Sequence, residues 1–100
     1  MLTIEFKNHK LCNSTYAQAF IYPSITNGHD MMEDVVKMEK KIDIKTMLNL
    51  YVAFRMGGDV EARSKSVEEI VNEVEIKDTT ELTKLVDVVN KLLSEKSKKD

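Results

Sequence analysis

Segment 44–56 is apolar around nearly its whole circumference, which constrains the fold of this chain more than any other feature. Such a helix is stable in water only when other elements cover most of its sides. Asp43 precedes the segment as a predicted N-cap, and Gly57-Gly58 follows it as a predicted helix stop. The segment is therefore predicted to be the central helix of the fold. Its apolar positions include Ile44, Met47, Leu48, Leu50, Tyr51, Val52, Ala53 and Phe54.

Three other segments carry apolar residues at helical spacing behind a helix-start signal, in which a capping side chain is followed three residues later by Glu. They predict a helix from 31 to about 41, a short helix over 67–74, and a four-turn helix whose apolar stripe spans 82–93. The start signals are Asp30 with Glu33, Ser66 with Glu69, and Asp78 with Glu81.

The N-terminal segment alternates apolar and polar residues, with Leu2, Ile4 and Phe6 on one face. Residues 7–10 offer turn chemistry before Leu11 and Cys12. This pattern predicts a short β-hairpin.

A brief helix is expected after the hairpin, capped by Asn13, Ser14 or Thr15. Pro23 is expected to bias Tyr22 away from helical geometry and so to end that helix. Residues 59–65 carry no apolar period and are predicted to form an exposed loop.

One hundred residues suit a single compact domain. The expected fold class is α+β, mostly α, with a short N-terminal β-hairpin followed by four to five helices in a compact bundle. Residues 1–95 are expected to form one globular domain. Residues 96–100 are a charged tail that is expected to fray.

The charge balance disfavours a polyanionic partner, because 15 Lys and Arg against 17 Asp and Glu give a formal net charge of −2. No apolar run is long enough to span a membrane, and the charged residues Glu5 and Lys7 interrupt what would be a signal peptide. A single cysteine, Cys12, cannot form an internal disulfide. We therefore expect a cytoplasmic protein with no membrane partner, and a nucleic-acid partner is disfavoured.

No catalytic residue, metal site or cofactor is predicted. His9 and Cys12 have the spacing of half a zinc site, but structural zinc needs four ligands, and the chain has one cysteine and two histidines. A nucleophilic Cys12–His29 pair would have to form through space, without any local signature. His29, Asp30 and Glu33 could form an acid–base cluster. The two carboxylates are better explained as helix-capping residues.

Six methionines in one hundred residues are many, and five of them lie in the middle of the chain. Their flexible thioethers either fill gaps in the core or offer an adaptable apolar surface to a partner helix. Aromatic, Arg and Met side chains favour interfaces, so Met31, Met32, Tyr51 and Arg55 are predicted contact residues.

A second function remains open, based on the lysines between Lys37 and Lys45. A small helical regulatory or nucleic-acid-associated protein, similar to an antitoxin or repressor, could use them to contact DNA. Acidic residues that include Glu39 and Asp43 interleave with these lysines and cancel most of their potential, which favours a solvated helical face.

The order of these elements resembles the tail assembly chaperones of long-tailed bacteriophages and prophages. The resemblance covers most of the chain: a short hairpin, a small helix, a central helix with the sequence MLNLYVAF over 47–54, a helix starting SVEEI at Ser66, and a terminal amphipathic helix. The chain departs from commoner members in lacking an aromatic-rich, glycine-bearing segment after the hairpin.

The resemblance implies a non-enzymatic role in the bacterial host cell. Such a protein binds the long helical tape measure protein, keeps its apolar segments from self-association, and helps to recruit tail tube subunits. Self-association of the chaperone is also open. An amphipathic target helix laid against a Met-rich groove is a recognition mode that suits this role.

Overall fold

The computed structural model describes the backbone of residues 2–98 and the side chains of residues 2–94. A two-stranded hairpin precedes five α-helices, so the predicted mostly helical α+β class is confirmed. The elements are β1 (Thr3–Phe6), β2 (His9–Cys12), a π-helical turn (Ala17–Ile21), α1 (Tyr22–Ile25), α2 (Met31–Lys40), α3 (Ile44–Gly58), a 3-10 helix (Val60–Ser64), α4 (Val67–Val74) and α5 (Thr79–Lys98).

The hairpin turn is tighter than the sequence suggested, because His9 and Lys10 belong to β2. Phe6 pairs with His9 across a two-residue turn of Lys7 and Asn8, which have φ of 51° and 69°. Positive φ at both central residues is typical of a type I′ turn, whose twist matches that of the strands. The Lys7 ammonium donates a hydrogen bond to the Val74 carbonyl at 2.8 Å, tying the turn to the end of α4.

The first helix does not end before Pro23, contrary to our prediction. Tyr22 is helical, with φ of −60° and ψ of −48°, and its amide donates to the Ala17 carbonyl five residues earlier. This π-helical turn lies immediately before the proline, whose ring would crowd an ordinary α-helical interior. The wider turn lets the chain continue as helix to Ile25. Ser14 is the cap, accepting a hydrogen bond from the Ala17 amide at 3.0 Å.

Helix α3 is the centre of the fold, as predicted, and residues 50–56 are all buried. Asp43 caps it by accepting a hydrogen bond from the Thr46 amide. The helix ends at Gly58, as predicted, and the two glycines form its last turn. Glycine is needed there because β2 crosses at close range. A Cβ on Gly57 would lie 2.7 Å from the Cys12 carbonyl oxygen, and one on Gly58 would lie 2.7 Å from that of Lys10.

One further segment differs from the sequence prediction. The expected loop over 59–65 contains the 3-10 helix Val60–Ser64, whose Ala62 is buried against the core. The backbone of α5 is helical through Lys98, and fraying of the charged tail stays a prediction. Residues 99–100 of that predicted tail lie outside the described residues.

The start of α4 carries the full reciprocal cap that Ser66 and Glu69 predict. The Ser66 hydroxyl accepts from the Glu69 amide, and the Glu69 carboxylate accepts from the Ser66 amide. The apolar faces of α4 and α5 then join the core through Ile70, Leu85 and Val89. Within residues 2–98, no helix combines the length and apolar character needed to cross a bilayer.

Candidate protein-binding surface

Three of the four predicted contact residues lie in the core rather than on the surface. Met31, Tyr51 and Arg55 are at most 2% exposed, whereas Met32 is 50% exposed. A partner cannot reach the three buried side chains in this conformation. We therefore correct the predicted contact set, and only Met32 is carried forward.

Tyr51 and Arg55 have structural surroundings that explain their burial. The Tyr51 ring packs edge-to-face on Phe6, with ring centroids 6.1 Å apart. The Arg55 guanidinium donates a hydrogen bond to Glu73 on α4. Burial raises the pKa of the Tyr51 phenol, which stays neutral. Both side chains thus connect α3 to elements that cover it.

The exposed apolar residues of the middle helices lie on the outer side of α2 and in the connection to α3. Met32 and Val36 are one helical turn apart on α2, and Ile42 and Ile44 follow the end of that helix. All four are at least half exposed. We call this set, Met32, Val36, Ile42 and Ile44, the apolar strip.

A groove of about 360 Å³ lies between α2 and α5, with Met47 of α3 also lining it. Ile42 lines the groove and is also 58% exposed, so the groove opens beside an exposed apolar side chain. Glu39 is the one charged residue among the described lining residues. We call this cavity the α2–α5 groove; its apolar lining residues are Val35, Met38, Ile42, Met47, Val86 and Leu93.

The groove exists because α2 is packed less closely than its neighbours. Met31 is its one fully buried apolar residue, while Val35 and Met38 are only partly covered. At this partly covered contact the methionine side chain can adapt its shape, whereas the β-branched valine side chain is stiff. The arrangement can hold one face of an additional helix.

The charges exposed along α2 are mixed. Lys37, Lys40 and Lys41 are exposed on or beside α2, together with Glu33 and Glu39. Because opposite charges alternate at short range, they create little net potential. The exposed side of α2 therefore carries apolar side chains among charges of both signs.

Asp34 is a buried polar residue of α2. Its carboxylate accepts a hydrogen bond from the Tyr22 hydroxyl at 2.7 Å and lies 3.1 Å from His29 Nδ1. Burial by itself raises the pKa of Asp34, but the hydrogen bonds from Tyr22 and His29 outweigh this and hold the pKa below its ordinary value. Asp34 lies at helical spacing from Met31 and Met38. The sequence pattern therefore indicated that Asp34 is on the buried face of α2.

The structure places the other candidate chemical groups apart. Across the described part of the chain, no group of three or more His, Cys, Asp or Glu side chains could hold a metal ion. Cys12 is a buried free thiol in β2. Asp30 caps α2 by accepting a hydrogen bond from the Glu33 amide, so these two residues have the structural role that their spacing predicted.

Two exposed aromatic residues form a surface that was not predicted. Tyr16 and Phe20 are 48% and 64% exposed, and their rings stack with centroids 5.4 Å apart. The π-helical turn changes which residues of the first helix share a face. The amino-acid sequence carries no pattern that predicts such a turn.

Comparison with known proteins identifies no relative: no family model, no curated protein and no solved structure matches this chain.

Proposed function

We propose that this protein is a non-enzymatic chaperone that binds an amphipathic helix of a partner protein. The binding surface is the α2–α5 groove together with the apolar strip. The family resemblance of the sequence suggests the partner: the tape measure protein of a phage tail, with recruitment of tail tube subunits as the later step. The role belongs to the cytoplasm of the bacterial host.

The observation that carries this proposal is the mainly apolar lining of the α2–α5 groove, together with the exposed apolar side chains of Met32, Val36 and Ile42 on and after the same helix. Exposed apolar patches are typical of protein-interaction sites. A helix in a groove is held by apolar residues at helical spacing, and the half-covered residues of α2 and α5 offer the complementary surface.

The proposal is tested by co-expression with the tape measure protein encoded by the same phage or prophage. We expect the wild-type protein to raise the soluble fraction of that partner. A variant carrying Met32→Lys and Val36→Lys should lose this effect, because two ammonium groups would have to be desolvated at the contact. Both substituted side chains are at least half exposed, so the variant should still fold.

Val60→Lys is the matched control, because Val60 is 72% exposed but lines neither surface. This control should solubilise the partner as well as the wild type does. An unchanged soluble fraction with the wild type, or full activity of the double variant, would contradict the proposal.

The regulatory alternative has a different signature. DNA binding through Lys37, Lys40, Lys41 and Lys45 would weaken steeply as salt concentration rises, since bound phosphates release counterions. Glutamine at these four positions would abolish such binding, while the double variant of the apolar strip would retain it. Observation of that pattern would favour the alternative.

A further inference from the structure

A second pocket shares no lining residue with the α2–α5 groove. It has a volume of about 360 Å³ and lies where the first helix meets the end of α3 and the start of α4. We call it the aromatic pocket; its principal lining residues are Tyr16, Phe20, Ile25, Met56, Arg63 and Val67.

The aromatic side of this pocket is held open to solvent by the π-helical turn. A π turn has more residues per turn than an α-helix, so Ala17, Ile21 and Tyr22 can all face the core. Tyr16 and Phe20 are then left together on the outside as a stacked pair. Such turns are frequent at functional sites.

The charge at this pocket is cationic. Arg63 and Lys65 are the charged side chains among the described residues that line it. Lys65 is already paired with Glu73 at 2.7 Å, but Arg63 forms no ion pair with any carboxylate in the described part of the chain. The pocket therefore presents one cation without a counter-charge.

Arg63 is also held in place. Its Nε donates a hydrogen bond to the Met56 carbonyl at 2.8 Å, and its guanidinium carbon lies 4.8 Å from the centre of the Tyr16 ring. A guanidinium ordered by a backbone contact and an aromatic ring loses little freedom when a carboxylate binds to its remaining N–H groups.

We propose that the aromatic pocket binds a short segment of a partner protein in which a bulky apolar side chain stands next to a carboxylate. The apolar side chain would lie between Phe20 and the floor formed by Ile25 and Met56. The carboxylate would bind Arg63. The volume suits a short peptide segment, being at the small end of the roughly 300–1,000 Å³ range of ligand pockets.

Single-stranded nucleic acid is the competing occupant, because bases stack on aromatic rings and phosphates bind arginine. The structure favours a peptide for two reasons. Arg63 and Lys65 are the two cations among the described lining residues, which is too few to follow a phosphate backbone, and the net charge of the chain is −2.

The test is selection from a library of random short peptides displayed on phage, with the full chain as bait. A variant with Phe20→Ser and Arg63→Gln serves for counter-selection, and Val60→Lys is the control for an unrelated exposed apolar residue. Circular dichroism and thermal melting establish that each variant is folded. Enriched peptides are then synthesised with the carboxylate intact or replaced by its amide.

We expect wild-type-specific peptides in which Asp or Glu neighbours a bulky apolar residue. Replacing that carboxylate by an amide, or Arg63 by Gln, should weaken binding by about twofold to fivefold. Absence of peptides that distinguish the wild type from the double variant, or enriched peptides without an acidic residue, would overturn the proposal. Binding of single-stranded oligonucleotides that depends on Phe20 and Arg63 would also overturn it.

Discussion

The Arg55 guanidinium, 2% exposed in the last turn of α3, is joined by a hydrogen bond to the Glu73 carboxylate on α4. Glu73 also accepts a hydrogen bond from Lys65 at 2.7 Å, so one carboxylate serves two cations. A buried cation without a counter-charge is strongly destabilising, which makes Glu73 a structural requirement of the core.

The Arg55–Glu73 pair predicts a specific dependence of stability on pH. The hydrogen bonds from Lys65 and Arg55 lower the pKa of Glu73 from 4.5 to about 2. A carboxylate whose pKa is lowered by folding stabilises the fold fully above its unfolded pKa, and this contribution is lost as the pH falls towards the folded pKa. Glu73→Gln should therefore reduce the free energy of unfolding at neutral pH and flatten its decline in acid.

Urea denaturation at a series of pH values from about 7 to about 3 measures this effect. Glu68→Gln, on an exposed position of the same helix, is the control and should preserve the wild-type pH dependence. Parallel pH curves for the wild type and Glu73→Gln would show that the ion pair does not contribute.

Replacing either glycine at the end of α3 by alanine should destabilise the fold, whereas the same replacement usually stabilises a helix. Alanine normally stabilises a helix interior by about 1 kcal/mol relative to glycine. Here the added Cβ would lie 2.7 Å from a β2 carbonyl oxygen in each case, so Gly57→Ala and Gly58→Ala should each destabilise the fold by about 1–3 kcal/mol. Chemical denaturation measures the change. Asn72→Ala, at an exposed position of α4, should show no such loss, and stabilisation by either glycine variant would refute the close approach of β2.

Neighbouring methionines at the start of α2 should differ sharply in their contribution to stability. Met31 is 1% exposed, so Met31→Ala should reduce the free energy of unfolding by about 2–5 kcal/mol through loss of core packing. Met32 is 50% exposed, and Met32→Ala should change it by less than about 0.5 kcal/mol. Thermal and urea unfolding of the two variants provide the comparison. Equal losses of stability would mean that α2 is rotated differently about its own axis, so that Met31 and Met32 are buried to the same extent.

The Tyr22–Asp34 hydrogen bond should be energetically coupled. Asp34 is 8% exposed, so Tyr22→Phe leaves a buried carboxylate without one donor and should cost about 1–3 kcal/mol. In the background of Asp34→Asn the same substitution should cost less. A double-mutant cycle measured by urea denaturation gives the coupling. Tyr16→Phe is the control and should cost little, since the exposed Tyr16 ring makes its contacts through its faces. Strict additivity of the two substitutions in the cycle would contradict the coupling.

Asp34 should also contribute to loss of stability in acid. Its pKa is below the ordinary value despite the opposing effect of burial, so its contribution is present at neutral pH and declines as the carboxylate becomes protonated. Its loss would loosen α2, the helix that forms one wall of the α2–α5 groove.

Helix starts could be predicted from the sequence because a cap is a local interaction. Asp30, Asp43, Ser66 and Asp78 each accept a hydrogen bond from the amide three residues later, as their spacing indicated. The hairpin was likewise predictable from its alternating pattern. The continuation of helix through Pro23 was not, since it depends on a π turn that packs Tyr22 into the core.

The candidate surfaces were only partly predictable. An apolar surface on the middle helices was expected, but its members differ, because Tyr51 and Arg55 are covered by the hairpin and by α4. The aromatic pocket was missed entirely. It combines residues of the first helix with Arg63 and Val67, which are far away in the chain.

The sequence by itself determined the hairpin, the beginnings of the helices and the central position of α3, since periodicity, turn chemistry and capping act over a few neighbouring residues. Only the tertiary structure decided that Met31 is buried while Met32 is exposed, that Gly57 and Gly58 accommodate a crossing strand, and that Arg55 needs Glu73. These outcomes depend on which distant elements cover each helix face, and that covering is set by packing of the whole core.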